Sequence, residues 1–261
     1  MNETELHRID RTVKQWLRTS REFILTKMGQ NLNVSQKTSR KDLVTNVDKE
    51  NEKLIISKIR TFAPDSQILG EEGFGDQIRQ TKGWVWVVDP IDGTMNFVKQ
   101  RDHFAIMIAL YVDGQGVLGY IYDVINDQLF SGGPDLGVFQ NDDQLTAPDN
   151  LSLRDGLISV SGPMAMHNRF NFQKVVETSS GLRIYGSAGI EMIHLLKGEI
   201  VAYISYLKPW DFGAGKILAE SLGLAVTTVD GKPLDMLSSD FVMVATVQAQ
   251  QDILPIIGSN V

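Results

Sequence analysis

The chain has 261 residues, of which 43% are hydrophobic and 22% charged, with a formal net charge of −7. That supplies a core for one large domain or two ordinary ones. No basic run accompanies the negative balance, which argues against nucleic-acid binding, and the absence of cysteine excludes disulfides and zinc–thiolate sites.

No apolar run approaches the length of a membrane span, and Met1-Asn2-Glu3-Thr4-Glu5 lacks the basic and apolar regions of a secretory signal. These features predict a cytoplasmic protein without a membrane partner. Leu6, Ile9, Val13, Trp16, Leu17 and Ile24 recur at helical spacing and predict an amphipathic helix ending near Gly29. Gln30 to Lys41 is polar and reads as a mobile loop. Asp42-Leu43-Val44-Thr45-Asn46-Val47-Asp48 leads into a second helix marked by Leu54, Ile55, Ile59 and Phe62 and closed by Pro64. Asp48, near that helix start, reads first as a capping acid. Gln67 to Gly70 is a short strand, with Glu71 and Glu72 where it stops.

Trp84-Val85-Trp86-Val87-Val88-Asp89-Pro90-Ile91-Asp92-Gly93-Thr94 is the organising stretch. A β-branched and aromatic run reads as a buried strand that ends in two acids. Asp89 and Asp92 would repel each other in a dry turn, and a divalent cation removes that penalty. Gly93 and Thr94 follow, with amides suited to an anion. Two strand-like runs, His103 to Val112 and Val117 to Val124, flank a hairpin turn at Asp113 to Gly116, and Gln128 to Ser131 and Gly137 to Gln140 continue the meander. With no histidine pair at ligand spacing, His103 reads as structural.

Thr146 to Asn150 marks the expected boundary between an N-terminal α+β domain, residues 1–147, and a C-terminal α/β domain, residues 148–261. Strands are predicted at Gly156 to Ser161, Leu182 to Tyr185, Val201 to Leu207, Ala225 to Val229 and Phe241 to Val247, with helices at Phe170 to Val176, Ile190 to Leu196 and Asp211 to Leu222. Asp211 opens the last helix, either as its cap or as an acid delivered to a site between the halves.

Glu71, Asp89, Asp92 and Asp211, with Asp48 and Thr94 beside them, offer only oxygen ligands. Such a set suits Mg²⁺ or Mn²⁺, and several carboxylates beside a phosphate cradle point to two or more ions.

The stretch from Trp86 to Lys99 resembles the first signature of the inositol monophosphatase family. Gly70-Glu71-Glu72, Asp42-Leu43-Val44-Thr45…Asp48 and Trp210-Asp211 resemble three further elements of that family, in family order. The resemblance covers roughly residues 5 to 250. It implies a layered αβαβα sandwich and Mg²⁺-dependent, lithium-sensitive hydrolysis of a small-molecule phosphate monoester, usually by a homodimer. It implies two or three ions per site, held by Glu71, Asp89, the Ile91 carbonyl, Asp92 and Asp211. Asp48 and Thr94, with Glu71, would orient and activate the attacking water, which acts in line without a phospho-enzyme. Asp92, the Gly93 and Thr94 amides, Gly186-Ser187-Ala188, Lys208 and Asp211 would lie on the substrate side. The Gln30–Lys41 loop is expected to order when metal and phosphate bind.

The chain departs from the family pattern at Gly213 and Leu224, both packing positions. Inositol-specific members carry a glutamate seven residues before the Trp-Asp acid; here that position is Ile204, next to Ser205. The departure favours a broad or non-inositol monoester, with NADP 2′-phosphate, fructose 1,6-bisphosphate and 3′-phosphoadenosine 5′-phosphate as alternatives. A haloacid-dehalogenase-type phosphatase is a rival, but it needs its two acids two residues apart. A rival of another class is a non-catalytic metal- or phosphate-sensing paralogue.

Overall fold

The computed structural model describes residues 1–30, 32–40 and 42–258. Helix α1 (Glu3–Met28) starts where the Asn2 side chain accepts the Glu5 N–H at 2.8 Å. Its apolar stripe, Leu6 to Ile24, is buried, as its spacing predicts. The segment read as a loop contains strand β1 (Val34–Gln36), paired antiparallel with β2 (Leu43–Thr45). All three β1 residues are exposed. The pairing is therefore carried by backbone hydrogen bonds and leaves no apolar alternation to read. Asn31 and Lys41 of that segment lie outside the described residues. Helix α2 (Asn46–Phe62) begins with a capping box in which Thr45 and Asp48 bond each other's backbone.

A seven-stranded sheet follows: β3 (Gln67–Gly70), β4 (Trp84–Asp92), β5 (Ala105–Val112), β6 (Gln115–Asp123), β7 (Gln128–Gly133), β8 (Gly137–Gln140) and β9 (Asp143–Gln144) in spatial as well as chain order. Short helix α3 (Thr94–Lys99) interrupts it after β4. β3 and β4 are parallel and the other pairs antiparallel. The β5–β6 turn has two central residues, Asp113 at φ 49° and Gly114 at φ 81°. Both are left-handed, the geometry that matches the twist of a two-residue hairpin.

The second sheet contains β10 (Leu157–Val160), β11 (Gly181–Arg183), β12 (Ala202–Leu207), β13 (Ala225–Thr228) and β14 (Asp240–Ala245), in the order β11-β10-β12-β14-β13. Its helices are α4 (Gly162–Met166), α5 (Phe172–Thr178), α6 (Ala188–Leu196), α7 (Pro209–Ser221) and α8 (Val247–Gly258). Neither α4 nor α8 is anticipated from the sequence. The α8 signal is nevertheless present, because Ala249, Ile253 and Ile257 are buried at helical spacing.

Three apolar clusters define the layers. One joins α1 and α2 to a face of the seven-stranded sheet through Trp16, Ile55, Trp86 and Val88. A second joins the other face to the five-stranded sheet through α6 and α7, with Val85, Val87, Met192 and Phe212. The third packs α4, α5 and α8 on the far face of the five-stranded sheet. The result is a helix–sheet–helix–sheet–helix sandwich. Residues 145–156 separate the two sheets in sequence, while the middle cluster draws from both sides of that segment.

Helix α7 lies close against the seven-stranded sheet. A Cβ added to Gly119 of β6 would stand 2.5 Å from the Ala214 carbonyl oxygen. The Tyr111 hydroxyl of β5 donates to the Gly213 carbonyl at 2.8 Å. Gly213 and Leu224, the two departures from the family pattern, leave α7 continuous, and Leu224 is buried in the middle cluster. Gly119→Ala is expected to lower stability by about 1–3 kcal/mol, because a crowded core must shift backbone to admit it. A urea midpoint equal to wild type would show that α7 does not press on β6 so closely.

Candidate active site

Asp89 and Asp92 sit three residues apart on β4, a spacing that in a regular strand sends side chains to opposite faces. The pairing with β5 shifts between them: Asp89 pairs with Met107 and Asp92 with Ala105, so β4 carries one extra residue. Pro90, which has no N–H to give a ladder, falls within this bulge. The bulge brings both carboxylates to one side. Asn51 of α2 braces it, donating from Nδ2 to the Pro90 carbonyl at 2.9 Å and accepting from Ser20 Oγ at 2.6 Å.

Asp211 joins them from the start of α7, where its carboxylate accepts the Lys208 N–H at 2.8 Å. Asp89, Asp92 and Asp211 each present an oxygen within 4.8 Å of the others. They line a cavity of about 200 Å³ together with Asp42, Leu43, Glu71, Ile91, Gly93, Thr94, Met95 and Gly186. A larger groove near Arg8, Phe62 and Trp84 lies at the opposite end of β4 and holds one acid, Asp65.

Hydrogen-bond donors hold the acids. Asp92 is 6% exposed. It accepts the Ala188 N–H at 3.1 Å, the Gly189 N–H at 2.7 Å and the Ser187 hydroxyl. Ser187 and Ala188 thus back the site, and Gly186 faces the cavity. Asp89 accepts the Ile91 N–H through Oδ1 at 3.0 Å, while its Oδ2 is buried with no hydrogen-bond partner. Thr94 Oγ1 lies 2.9 Å from Asp48 Oδ1 and 3.2 Å from the Ile91 carbonyl oxygen. Asp48 is fully buried, and its other oxygen accepts the Thr45 N–H at 2.9 Å. It therefore caps α2 and contacts Thr94 at once. Gly93 adopts φ 88°, and a Cβ there would stand 2.8 Å from Ser187 Cβ.

Lys208 does not line the cavity; its ammonium lies over the Trp210 ring, 5.3 Å from the centroid. Ile204, reached by counting back from Asp211, is buried in the outermost cluster on the α8 side of β12. Strand alternation puts Ser205 on the other face with Tyr203, which feels the charges of Glu191, Asp92 and Asp211. Ser205 is thus the residue of this pair on the site side.

Sequence reasoning missed several supporting groups. Glu52 is fully buried and accepts the Glu72 N–H at 2.8 Å and the Phe74 N–H at 3.0 Å, which fixes the turn carrying Glu71. Asp48, Asn51 and Glu52 share the buried face of α2 with Ile55. Polar residues inside an apolar stripe were the available signal. Lys37 reaches from the β1–β2 hairpin to Glu71 at 2.9 Å and to Glu72. Burial opposes its charge, but Glu71 and Glu72 outweigh burial and raise its pKa. No pattern in the sequence pairs it with Glu71.

Burial raises the Asp92 pKa to about 6, against its hydrogen bonds, and the Asp211 pKa to about 8, with Asp92 and Glu71 adding. Burial raises Asp89 well above the carboxylate range, with Glu71, Asp92 and Asp211 adding. A hard divalent cation fits this set: all donors are oxygens, the carboxylates repel, and Asp89 keeps an orphaned oxygen.

A carboxylate whose pKa folding raises costs stability as pH climbs from its ordinary value of 3.8 towards its folded one, about 8 for Asp211. Metal-free protein is expected to lose stability across that window, and an incoming cation must displace the bound protons. The rise in Tm on adding Mg²⁺ should therefore be larger at about pH 8 than at about pH 6 by differential scanning fluorimetry. Equal shifts at both would place Mg²⁺ elsewhere.

Comparison with known proteins follows the same lines. The chain matches the inositol monophosphatase family model over residues 5–260. The inositol-1-monophosphatase of Bacillus subtilis (strain 168) is 38% identical over 240 residues, covering 90% of this chain and 91% of that protein. A staphylococcal inositol monophosphatase-1, solved as a LiCl-soaked inhibitory complex, superposes with a TM-score of 0.92 at 31% identity, covering 98% of this chain and 96% of that one. An IMPase/NADP phosphatase solved with NADP and Ca²⁺ gives a TM-score of 0.92 at 32% identity, covering 98% and 97%. With its layered fold and its buried acid cluster, the chain belongs to the inositol monophosphatase family, a family of metal-dependent phosphoric monoester hydrolases.

Proposed function

We propose that the protein hydrolyses small-molecule phosphate monoesters with Mg²⁺, and that its substrate is not restricted to inositol monophosphate. The carrying observation is the convergence of Asp89, Asp92 and Asp211 on one cavity, with an unpartnered carboxylate oxygen on Asp89. Glu71, Asp89, the Ile91 carbonyl, Asp92 and Asp211 would hold two or three Mg²⁺ ions, or Mn²⁺. Bound there, the ions supply positive charge to the phosphate oxygens and make water acidic enough to act near neutral pH.

The rest of the reading concerns the chain's own groups. Thr94 Oγ1 donates to Asp48, which leaves its lone pairs to accept a proton from water, with Asp48 as the final acceptor. Burial raises the Asp48 pKa, which moves it towards the range where a general base works at neutral pH. Glu71 lines the same cavity and would help hold the water. The water oxygen bonds to phosphorus as the bond to the leaving oxygen breaks, and that oxygen takes a proton from solvent. The Gly93 and Thr94 amides would hold the phosphate. Gly186, Ser187, Ala188 and Asp211 would border the leaving group.

Ser205 supports the wider specificity. A hydroxyl on the site face of β12 offers an alcohol-rich ring less than a carboxylate would. One solved relative is bound with D-inositol-1-phosphate and another is complexed with NADP and Ca²⁺.

Assembly and location complete the proposal. Met166, Ile184 and Tyr206 are 69%, 54% and 51% exposed. They would be part of the surface covered in the proposed homodimer. Among the described residues no helix is long and apolar enough to cross a membrane. The cysteine-free composition supports a cytoplasmic setting.

The test is phosphate release with Mg²⁺ from inositol 1-phosphate, NADP, fructose 1,6-bisphosphate and 3′-phosphoadenosine 5′-phosphate, each with and without lithium. Lithium-sensitive turnover of more than one member is expected. Mg²⁺ binding with no turnover of any member would favour a sensing role. Asp92→Asn should cut kcat by at least about 100-fold with the fold intact, since it removes a charged ligand that stabilises the transition state. Near-wild-type kcat at saturating Mg²⁺ would exclude Asp92 as a ligand.

A further inference from the structure

Glu191 has no place in the reaction above, yet it is 3% exposed and stands directly behind the site. It lies in the first turn of α6, four residues after the Ser187 cap. A capping-box acid stands three residues after the cap and turns back to the cap residue's own N–H; Glu191 is one residue further along. Glu191 reaches further. Its Oε1 accepts the Tyr185 N–H at 2.7 Å and the Gly186 N–H at 3.3 Å, both ahead of the helix.

That turn is held from the other side as well. Asn96 Nδ2 donates to the Tyr185 carbonyl at 2.7 Å and to the His103 carbonyl at 2.9 Å. The Tyr185 ring stacks on His194 with centroids 4.1 Å apart. Gly186 takes φ 80°, a left-handed conformation. The next three residues are those that donate to Asp92: the Ser187 hydroxyl and the Ala188 and Gly189 amides. The line from Glu191 through the turn to Asp92 is therefore short, and every link in it is a hydrogen bond or a covalent neighbour.

We infer that Glu191 is a positioning residue: by holding the Tyr185–Gly186 turn, it sets the three donors that aim Asp92 into the cavity. The role requires an acceptor at Oε1, not a charge. Burial, with Asp92 adding, raises the Glu191 pKa, and a protonated carboxyl still offers that acceptor. Groups that orient a metal ligand from outside typically change metal affinity or activity by about 10- to 100-fold when lost.

The inference rests on the phosphatase reading only for its kinetic arm, so two further readouts are independent of turnover. The variants are Glu191→Gln, which keeps the acceptor, and Glu191→Met, which keeps the bulk and removes both acceptor and buried acid. The measurements are the Mg²⁺ Kd by calorimetry, amide exchange at Ser187 to Gly189 in metal-free protein, kcat, and Tm. The Met variant is expected to stay folded at the assay temperature with Tm lowered by no more than a few degrees, to raise the Mg²⁺ Kd about tenfold, to exchange faster at those amides, and to lower kcat about tenfold or more. The Gln variant should stay within about threefold of wild type in Kd and kcat. A Met variant with wild-type Kd and exchange overturns the inference. So does a Gln variant as damaged as Met, or a Met variant whose losses match a fall in its folded fraction. A wild-type protein that binds Mg²⁺ but releases no phosphate would count against the phosphatase reading and leave the Kd and exchange results to decide this one.

Discussion

The burial of several carboxylates in one place is the constraint on which the rest of this protein depends. Asp89, Asp92 and Asp211 stand within contact of one another, with Glu71 beside them. Withdrawing acids from water raises their pKa, and each charge raises its neighbours' further. Among the described residues no arginine or lysine side chain forms an ion pair with the triad. The offset comes instead from N–H and hydroxyl donors, which reach Asp92 three at a time, and from Lys37 at Glu71. Donors orient a carboxylate without consuming all its lone pairs. The cluster keeps a strong demand for a cation, and that demand is the origin of its chemistry.

The layered fold meets the demand by bringing Asp89 and Asp92 on β4, Asp211 on α7 and Glu71 on the turn after β3 to one place. β4 lies inside the seven-stranded sheet with both faces covered: Val85 and Val87 face one cluster, Trp86 and Val88 the other. A strand clamped on both sides is a stiff base for a bulge, and the bulge re-aims Asp92 beside Asp89. α2 supports the same point through Asn51 and Asp48. α6 supports it through its first turn, and α7 delivers Asp211 because Gly119 lets that helix approach the sheet.

Specificity rests on thinner structure. The face of β12 that looks toward the site carries Tyr203 and Ser205, while Ile204 belongs to the core on the other side. A count along the chain from Asp211 lands on the member that faces away from the site, since it runs through Lys208 and the first turn of α7, which do not follow strand periodicity. The site-side face of β12 therefore carries a hydroxyl and no carboxylate at this pair of positions. Lys208, which the sequence places near the site, spends its ammonium on the Trp210 ring and its N–H on Asp211.

The sequence by itself determined the elements whose signals are local. Helical spacing marked α1, α2 and α6, the aromatic and β-branched run marked β4, and four motifs in order identified the family. Glu71, Asp89, Asp92 and Asp211 were legible as metal-ligand types because carboxylates at strand ends and helix starts are chemically conspicuous. Only the tertiary structure decided how they meet. Strand pairing put the extra residue of the bulge between Asp89 and Asp92, and sheet packing brought α7 to β4. The contacts of Lys37, Glu52 and Glu191 are likewise long-range or reach outside any motif: Lys37 bonds an acid 34 residues away. Even β1 escaped notice, since exposed strand residues leave no apolar alternation. Periodicity records what a residue does relative to its neighbours in the chain, and a site built from several elements is decided by distances that periodicity does not carry.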